Sequence, residues 1–174
     1  MPASPSIIGF EQRVIVGVAD MAVSNNANVV FTTYSLGSCL GVAIHDPVAQ
    51  VGGLLHLMLP DSTIDPAKAA GNPAMFVDTG VPALFRAAYQ LRAEKSRIRV
   101  YVAGGAQILD DNNFFSIGRR NYEALVKLLE RNGLSVHAEA VGGQVNRTMM
   151  LKVSDGAVSL RISGNKDEVP LCRS

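Results

Sequence analysis

The sequence predicts an α/β fold with a largely antiparallel β-sheet core and two main helices. Three observations predict it. Short apolar runs with period-two alternation occupy both ends of the chain, two stretches of helical periodicity interrupt them, and Gly, Asp-Pro or Asp-Gly punctuates the junctions. At 174 residues, 48% apolar and 18% charged, the chain can bury a full core, and neither disorder nor a coiled coil fits. The expected organisation is a flexible lead-in over 1–12, one domain over 13–163 and a polar tail over 164–174.

The elements follow in order. Val14, Val16 and Val18 alternate within a first strand expected over 13–23, and Asn25 to Asn28 is turn material. Strand character resumes over 29–33, and Gly37-Ser38 interrupts it before Cys39. Two further strands, 40–44 and 51–59, flank a connection of six residues, His45 to Gln50, and a polar stretch over 61–71 follows. Val81, Leu84, Phe85 and Ala88 share one face of a helix expected over 78–93, where Pro82 fits only in the first turn. A strand over 98–102 runs into Gly104-Gly105. Tyr122, Leu125, Val126 and Leu129 form the stripe of a second helix over 118–131, stopped by Asn132-Gly133. A strand over 134–141 and a hairpin of 148–153 with 157–162, turning at Asp155-Gly156, close the domain.

Composition also excludes. A net charge of +1 without a basic run gives no nucleic-acid footprint. No apolar run approaches the roughly 18 residues of a spanning helix, and Met1 to Pro5 lacks the basic and apolar regions of a signal peptide, so a cytoplasmic address without membrane insertion is expected. Cys39 and Cys172 then read as free thiols, Cys172 in the tail as a site of adventitious oxidation. No CxxC or HxxxH spacing supplies a metal site, no cofactor motif stands out, and the absence of a heptad or spare apolar stripe predicts a monomer.

One constellation carries chemistry. Taking Asp46 to Ala49 as a four-residue turn with Asp first and Pro second, residues across the hairpin sum to 95, which pairs Cys39 with His56 at about 5 Å between Cβ atoms. A thiol beside an imidazole is the minimum for a cysteine nucleophile with its own base. Gly37 and Ser38 would let the Cys39 N–H turn toward a developing oxyanion, and the Thr33 hydroxyl is the nearest group to steady the imidazole. From composition and spacing alone, the opposite reading of Cys39 as a small buried hydrophobe is the commoner one, and a bulge at Gly52-Gly53 would separate the pair.

Beyond the pair, the residues resemble the CheD family of bacterial chemoreceptor glutamine deamidases. The resemblance rests on Thr33, Leu36-Gly37-Ser38-Cys39, Asp46-Pro47, Gly52-Gly53 and His56-Leu57-Met58-Leu59-Pro60. It continues in order through Gly104-Gly105-Ala106, Ile117 to Asn121, and Gly142-Gly143 followed by Arg147-Thr148. It implies a layered α/β sandwich with an antiparallel or mixed sheet core, and a cysteine hydrolase whose triad falls on Cys39, His56 and Thr33, acting on glutamine side chains in the cytoplasmic region of chemotaxis receptors. A chemotaxis phosphatase of the CheC type is an implied partner. Tyr34-Ser35 and Asn146 depart from the family pattern, where small residues or glycine are usual; Asn tolerates positive φ best among other residues.

Two rivals stand beside this reading: a receptor glutamyl methylesterase with the same triad, and a non-catalytic module that regulates a phosphatase. Gln107 and Asn121 are candidates to seat a substrate amide, Arg119-Arg120 to meet an acidic receptor surface, and Arg147-Thr148 to line the site. His45 and His137 read as surface residues without partners.

Overall fold

The structure, a computed structural model, describes residues 10–107 and 116–171. Cys172 lies outside the described residues. Among the described residues, ten strands form two five-stranded sheets, and two long helices cover one of them. The outer sheet has the order β1-β3-β8-β9-β10, from β1 (Gln12–Ile15), β3 (Val29–Leu36), β8 (Arg147–Lys152), β9 (Val158–Ile162) and β10 (Glu168–Pro170). The central sheet has the order β2-β5-β4-β6-β7, from β2 (Asp20–Ser24), β5 (Val51–Leu57), β4 (Leu40–Asp46), β6 (Arg99–Gly104) and β7 (Ala138–Val141). Among these ten strands only β1·β3 and β6·β7 pair in parallel, so both sheets are mixed and mostly antiparallel.

Alternation in the central strands sorts the core into two layers. Leu40, Val42 and Ile44 of β4, with Leu55 and Leu57 of β5, face α2 (Val77–Gln90) and α3 (Ile117–Arg131). Ala43 and Leu54 face the outer sheet, against Phe31, Met149 and Leu151. Small residues set how closely the sheets approach: a Cβ on Gly41 would meet Met149 Sδ at 2.8 Å, and one on Gly52 would meet Val153 Cγ2 at 3.1 Å. Leu125 and Leu129 of α3 are buried in the helix layer, where truncation to Ala costs about 2–5 kcal/mol each. No helix of the described residues is long and apolar enough to cross a membrane.

Several elements differ from the expected ones for identifiable reasons. The run over 13–23 is two strands in different sheets, because the chain breaks at Gly17 to Ala19, where Ala19 has φ +56°. The stretch over 61–71 is not merely a connection: it holds a 3-10 turn (Ser62–Ile64), with Asp61 accepting from Thr63 N–H, and α1 (Pro66–Gly71), capped by Asp65. Pro82 lies in the second turn of α2, where it cannot donate to the Asp78 carbonyl. Glu168–Pro170 adds a short edge strand from within the polar C-terminal stretch. The Asn132-Gly133 stop holds, with Gly133 at φ +70°.

Candidate active site

The β4–β5 ladder is continuous, but its register differs from the expected one by two residues. Paired positions sum to 97, as in Asp46↔Val51 and Gly41↔His56, because the loop runs from Pro47 to Gln50 and Gln50 takes φ +53°. Cys39 is therefore not the direct cross-strand neighbour of His56. One step beyond Leu40↔Leu57 sets Cys39 opposite Met58 and diagonal to His56, where same-face neighbours lie about 7–8 Å apart. A shift of two preserves the face, and both residues stay on the side that meets the outer sheet. Gly52-Gly53 carries no bulge.

The bulge lies elsewhere, in β3 against β8. Thr33 pairs with Met149 and Leu36 with Arg147, so β3 spends one extra residue at Tyr34-Ser35, and Ser35 sits at φ +59°. Thr33 and Leu36 both end up fully buried. The chain then bends through Gly37, Ser38 and Cys39 into β4.

Thr33 reaches across the gap between the sheets. Its Oγ1 lies 2.7 Å from His56 Nδ1 and donates its proton to the Val16 carbonyl, also at 2.7 Å. A hydroxyl has one proton to give, so Oγ1 can only accept from the ring, and His56 carries its proton on Nδ1. His56 Nε2 is then a bare lone pair, buried and without a hydrogen-bond partner among the described residues. Burial pushes the His56 pKa below its ordinary value, so the ring is neutral at pH 7. Burial likewise raises the half-buried Cys39 thiol, and its own backbone N–H offsets part of that rise. The resting pair is thus a neutral thiol and a neutral imidazole. An attack by this thiol requires its proton to leave as the new bond forms.

Cys39 lines a cleft of about 1010 Å³ together with Gly37, Ser38, Gly105, Gln107 and Gly143. Three successive carbonyls hold the bend in place. Gly37 O accepts from Ala106 N at 2.8 Å, Ser38 O from Asn121 Nδ2 at 3.1 Å, and Cys39 O from Gly105 N at 2.9 Å. Gly104 and Gly105 have φ of +111° and +60°, and a Cβ on Gly104 would stand 2.2 Å from the Cys39 oxygen, so no other residue fits there. Thr33, Gly37, Ser38, Cys39 and His56 thus gather around one end of the β4–β5 hairpin.

The remaining candidates divide. Arg119 lines the cleft but is exposed and paired with Glu123 at 3.4 Å. Arg147 is buried, and its Nη1 donates to the Gly142 and Gly104 carbonyls at 3.0 and 3.3 Å, tying together two cleft loops; Thr148 is half-buried beside it on β8. His45 is not a surface residue: it is 3% exposed, with Nε2 2.9 Å from the Val153 carbonyl. His137 is half-buried and packs edge-on to Tyr101 at 5.3 Å. Sequence reasoning gave Asn121 no structural role, although its spacing of four before Leu125 marks a polar residue on the buried line of α3. Among the described residues no group of three or more His, Cys, Asp and Glu could hold a metal ion.

A mixed α/β sandwich that sets a half-buried thiol diagonal to a buried, tautomer-fixed imidazole defines a framework suited to cysteine chemistry. Comparison with known proteins gives the family. Residues 58–162 match the model described as CheD chemotactic sensory transduction, a span that begins just after His56. The chain is 50% identical over 151 residues to "Probable chemoreceptor glutamine deamidase CheD 1" of Syntrophus aciditrophicus (strain SB), covering 87% of this chain and 94% of that protein. It is 46% identical over 158 residues to "Probable chemoreceptor glutamine deamidase CheD" of Solibacter usitatus (strain Ellin6076), covering 91% and 94%. A protein of the same name from Pyrococcus horikoshii is 38% identical over 152 residues, covering 86% and 92%. The chain belongs to the CheD family.

Proposed function

We propose that this protein is a protein-glutamine deamidase that converts glutamine side chains in the cytoplasmic region of chemotaxis receptors to glutamate and ammonia. The observation that carries the reading is the buried His56, with Nδ1 held by Thr33 and Nε2 left as a lone pair beside the strand that follows Cys39. The names of relatives across most of the chain supply the substrate class.

The chemistry follows from the protonation states. The Cys39 sulfur attacks the side-chain carbonyl carbon as its proton passes to His56 Nε2. The oxygen takes the negative charge and meets the Cys39 N–H and the backbone around Gly37 and Ser38. The imidazolium formed is stabilised through Nδ1–H by Thr33 Oγ1. His56 then gives its proton to the amide nitrogen, the C–N bond breaks, and ammonia leaves a thioester. Water attacks the thioester, loses a proton to Nε2 and releases glutamate, and that proton returns to the sulfur. The protein works as a monomer in the cytoplasm, and a CheC-type phosphatase is the partner that the family resemblance suggests.

The test is ammonia release from a purified receptor cytoplasmic fragment, wild type against Cys39→Ala. A mass gain of about 1 Da at defined glutamines, absent with the variant, is the expected result. Methanol release from a methylated fragment, with no ammonia from the amide form, would instead establish a methylesterase. An inert Cys39 with neither product would leave a binding module.

A further inference from the structure

We infer that Asn121 is a positioning residue that fixes the Ser38–Cys39 peptide so that the Cys39 N–H faces the carbonyl under attack. The inference rests on the thiol-nucleophile reading above and names a residue that the Cys39, His56 and Thr33 arrangement does not include.

Asn121 is fully buried on α3, one turn after Gly118. Gly118 seats the helix against the cleft loop so closely that a Cβ there would stand 2.5 Å from the Gly105 carbonyl carbon and oxygen. From that position Asn121 Nδ2 donates to Ser38 O at 3.1 Å and to Met58 O at 3.0 Å. Two carbonyl acceptors admit only one orientation of the amide. One side chain thus ties the bend that carries the thiol to the chain just beyond the histidine strand.

Peptide geometry does the rest. In a planar trans peptide the C=O and N–H point in opposite directions, so drawing the Ser38 oxygen toward α3 turns the Cys39 N–H away from it. That N–H lies against the Cys39 sulfur, where an oxyanion formed by attack of the sulfur would be met. The flanking carbonyls of Gly37 and Cys39 are held by backbone N–H groups, which almost any sequence supplies. Among these three carbonyls, only that of Ser38 depends on a side chain. The cost of the arrangement is visible: Asn121 Oδ1 is buried without a partner among the described residues, on a helix line that continues with Leu125 and Leu129. An apolar residue there would relieve that one atom and leave the Ser38 and Met58 carbonyls without this donor instead.

Two reactions of Cys39 separate positioning from packing. Acylation by p-nitrophenyl acetate forms a thioester and expels p-nitrophenol through an oxyanion. Alkylation by iodoacetamide displaces iodide at a saturated carbon and forms none. Asn121→Ala should slow acylation and receptor deamidation by about 10- to 100-fold, while alkylation, read per thiolate from its pH profile, stays within about twofold of wild type. Asn121→Asp keeps the volume, sets a carboxylate oxygen against two carbonyls, and must give the same split. Acylation unchanged, or both reactions slowed in parallel with a fall in melting temperature, would overturn the inference. If wild type releases no ammonia from the receptor yet the split between the two reactions is seen, the substrate reading fails and the positioning role stands.

Discussion

The β4–β5 hairpin buries an ionisable side chain at each end, and the two are treated in opposite ways. At the turn, Asp46 is fully buried and saturated. It accepts from Val48 N at 2.9 Å, Ala49 N at 3.0 Å and Glu94 N at 2.9 Å, and Arg97 grips it through Nε at 3.0 and 3.1 Å and through Nη2 at 3.0 Å. Burial would raise the carboxyl, but Arg97 and the three N–H groups outweigh it and hold the pKa at about 2. At the open end, His56 has one nitrogen satisfied and the other bare. A buried charge with every lone pair occupied is there to hold the fold. A buried base with an empty lone pair costs stability, and the proposed reaction uses that lone pair.

Substitutions sharpen or break this contrast. The largest effect belongs to His56→Ala, which should lower ammonia release about 10³-fold without a matching loss in urea midpoint. Equal damage to folding and activity would make His56 a structural residue. Next comes Thr33→Val, which removes the acceptor for Nδ1–H and frees the ring to change tautomer. A loss of about 10²-fold in kcat, with KM little changed, is expected from steady-state kinetics.

The other end should respond in stability alone. Because Asp46 ionises at about 2 in the fold against an ordinary 3.8, the unfolded chain binds the extra proton in that window. The stabilisation is complete above about pH 4 and lost as pH falls through about 2, and it amounts to about 2 kcal/mol. Asp46→Asn should remove it, as read by urea unfolding at pH 7, while deamidation per folded molecule stays at the wild-type rate. The smallest effect is expected from Arg119→Ala, whose exposed pair with Glu123 should change stability by less than about 0.5 kcal/mol in the same unfolding assay.

The sequence made much of this hairpin legible, and its limits are instructive. Alternation in Leu40 to Ile44 located β4, and the Asp-Pro pair located the turn. Parity then put Cys39 and His56 on one face despite a register wrong by two. The error came from closing the turn at Ala49. Arg97 and the Glu94 N–H, from a distant segment, engage Asp46, and Gln50 takes a left-handed conformation that its residue type does not advertise. The split of the first strand run was hidden similarly: every valine from Val14 to Val18 fits a single alternation, and only the partners of β1 and β2 in different sheets separate them. Thr33 was within reach of sequence reasoning as a nearby hydroxyl. The direction of its hydrogen bond was not, since the Val16 carbonyl that fixes it belongs to backbone that no side-chain pattern describes.

The three tethered carbonyls beside Cys39 have a consequence for how the chain matures. Ser38 and Asn121 are separated by 83 positions and Thr33 and His56 by 23, so the arrangement proposed for the reaction draws on segments that meet only when the sheets and α3 have docked. Loop closure of that length comes late on a folding route. A nascent or half-folded chain carries an ordinary thiol with no oriented N–H and no committed base. On the proposed reading, competence therefore arrives together with the finished domain.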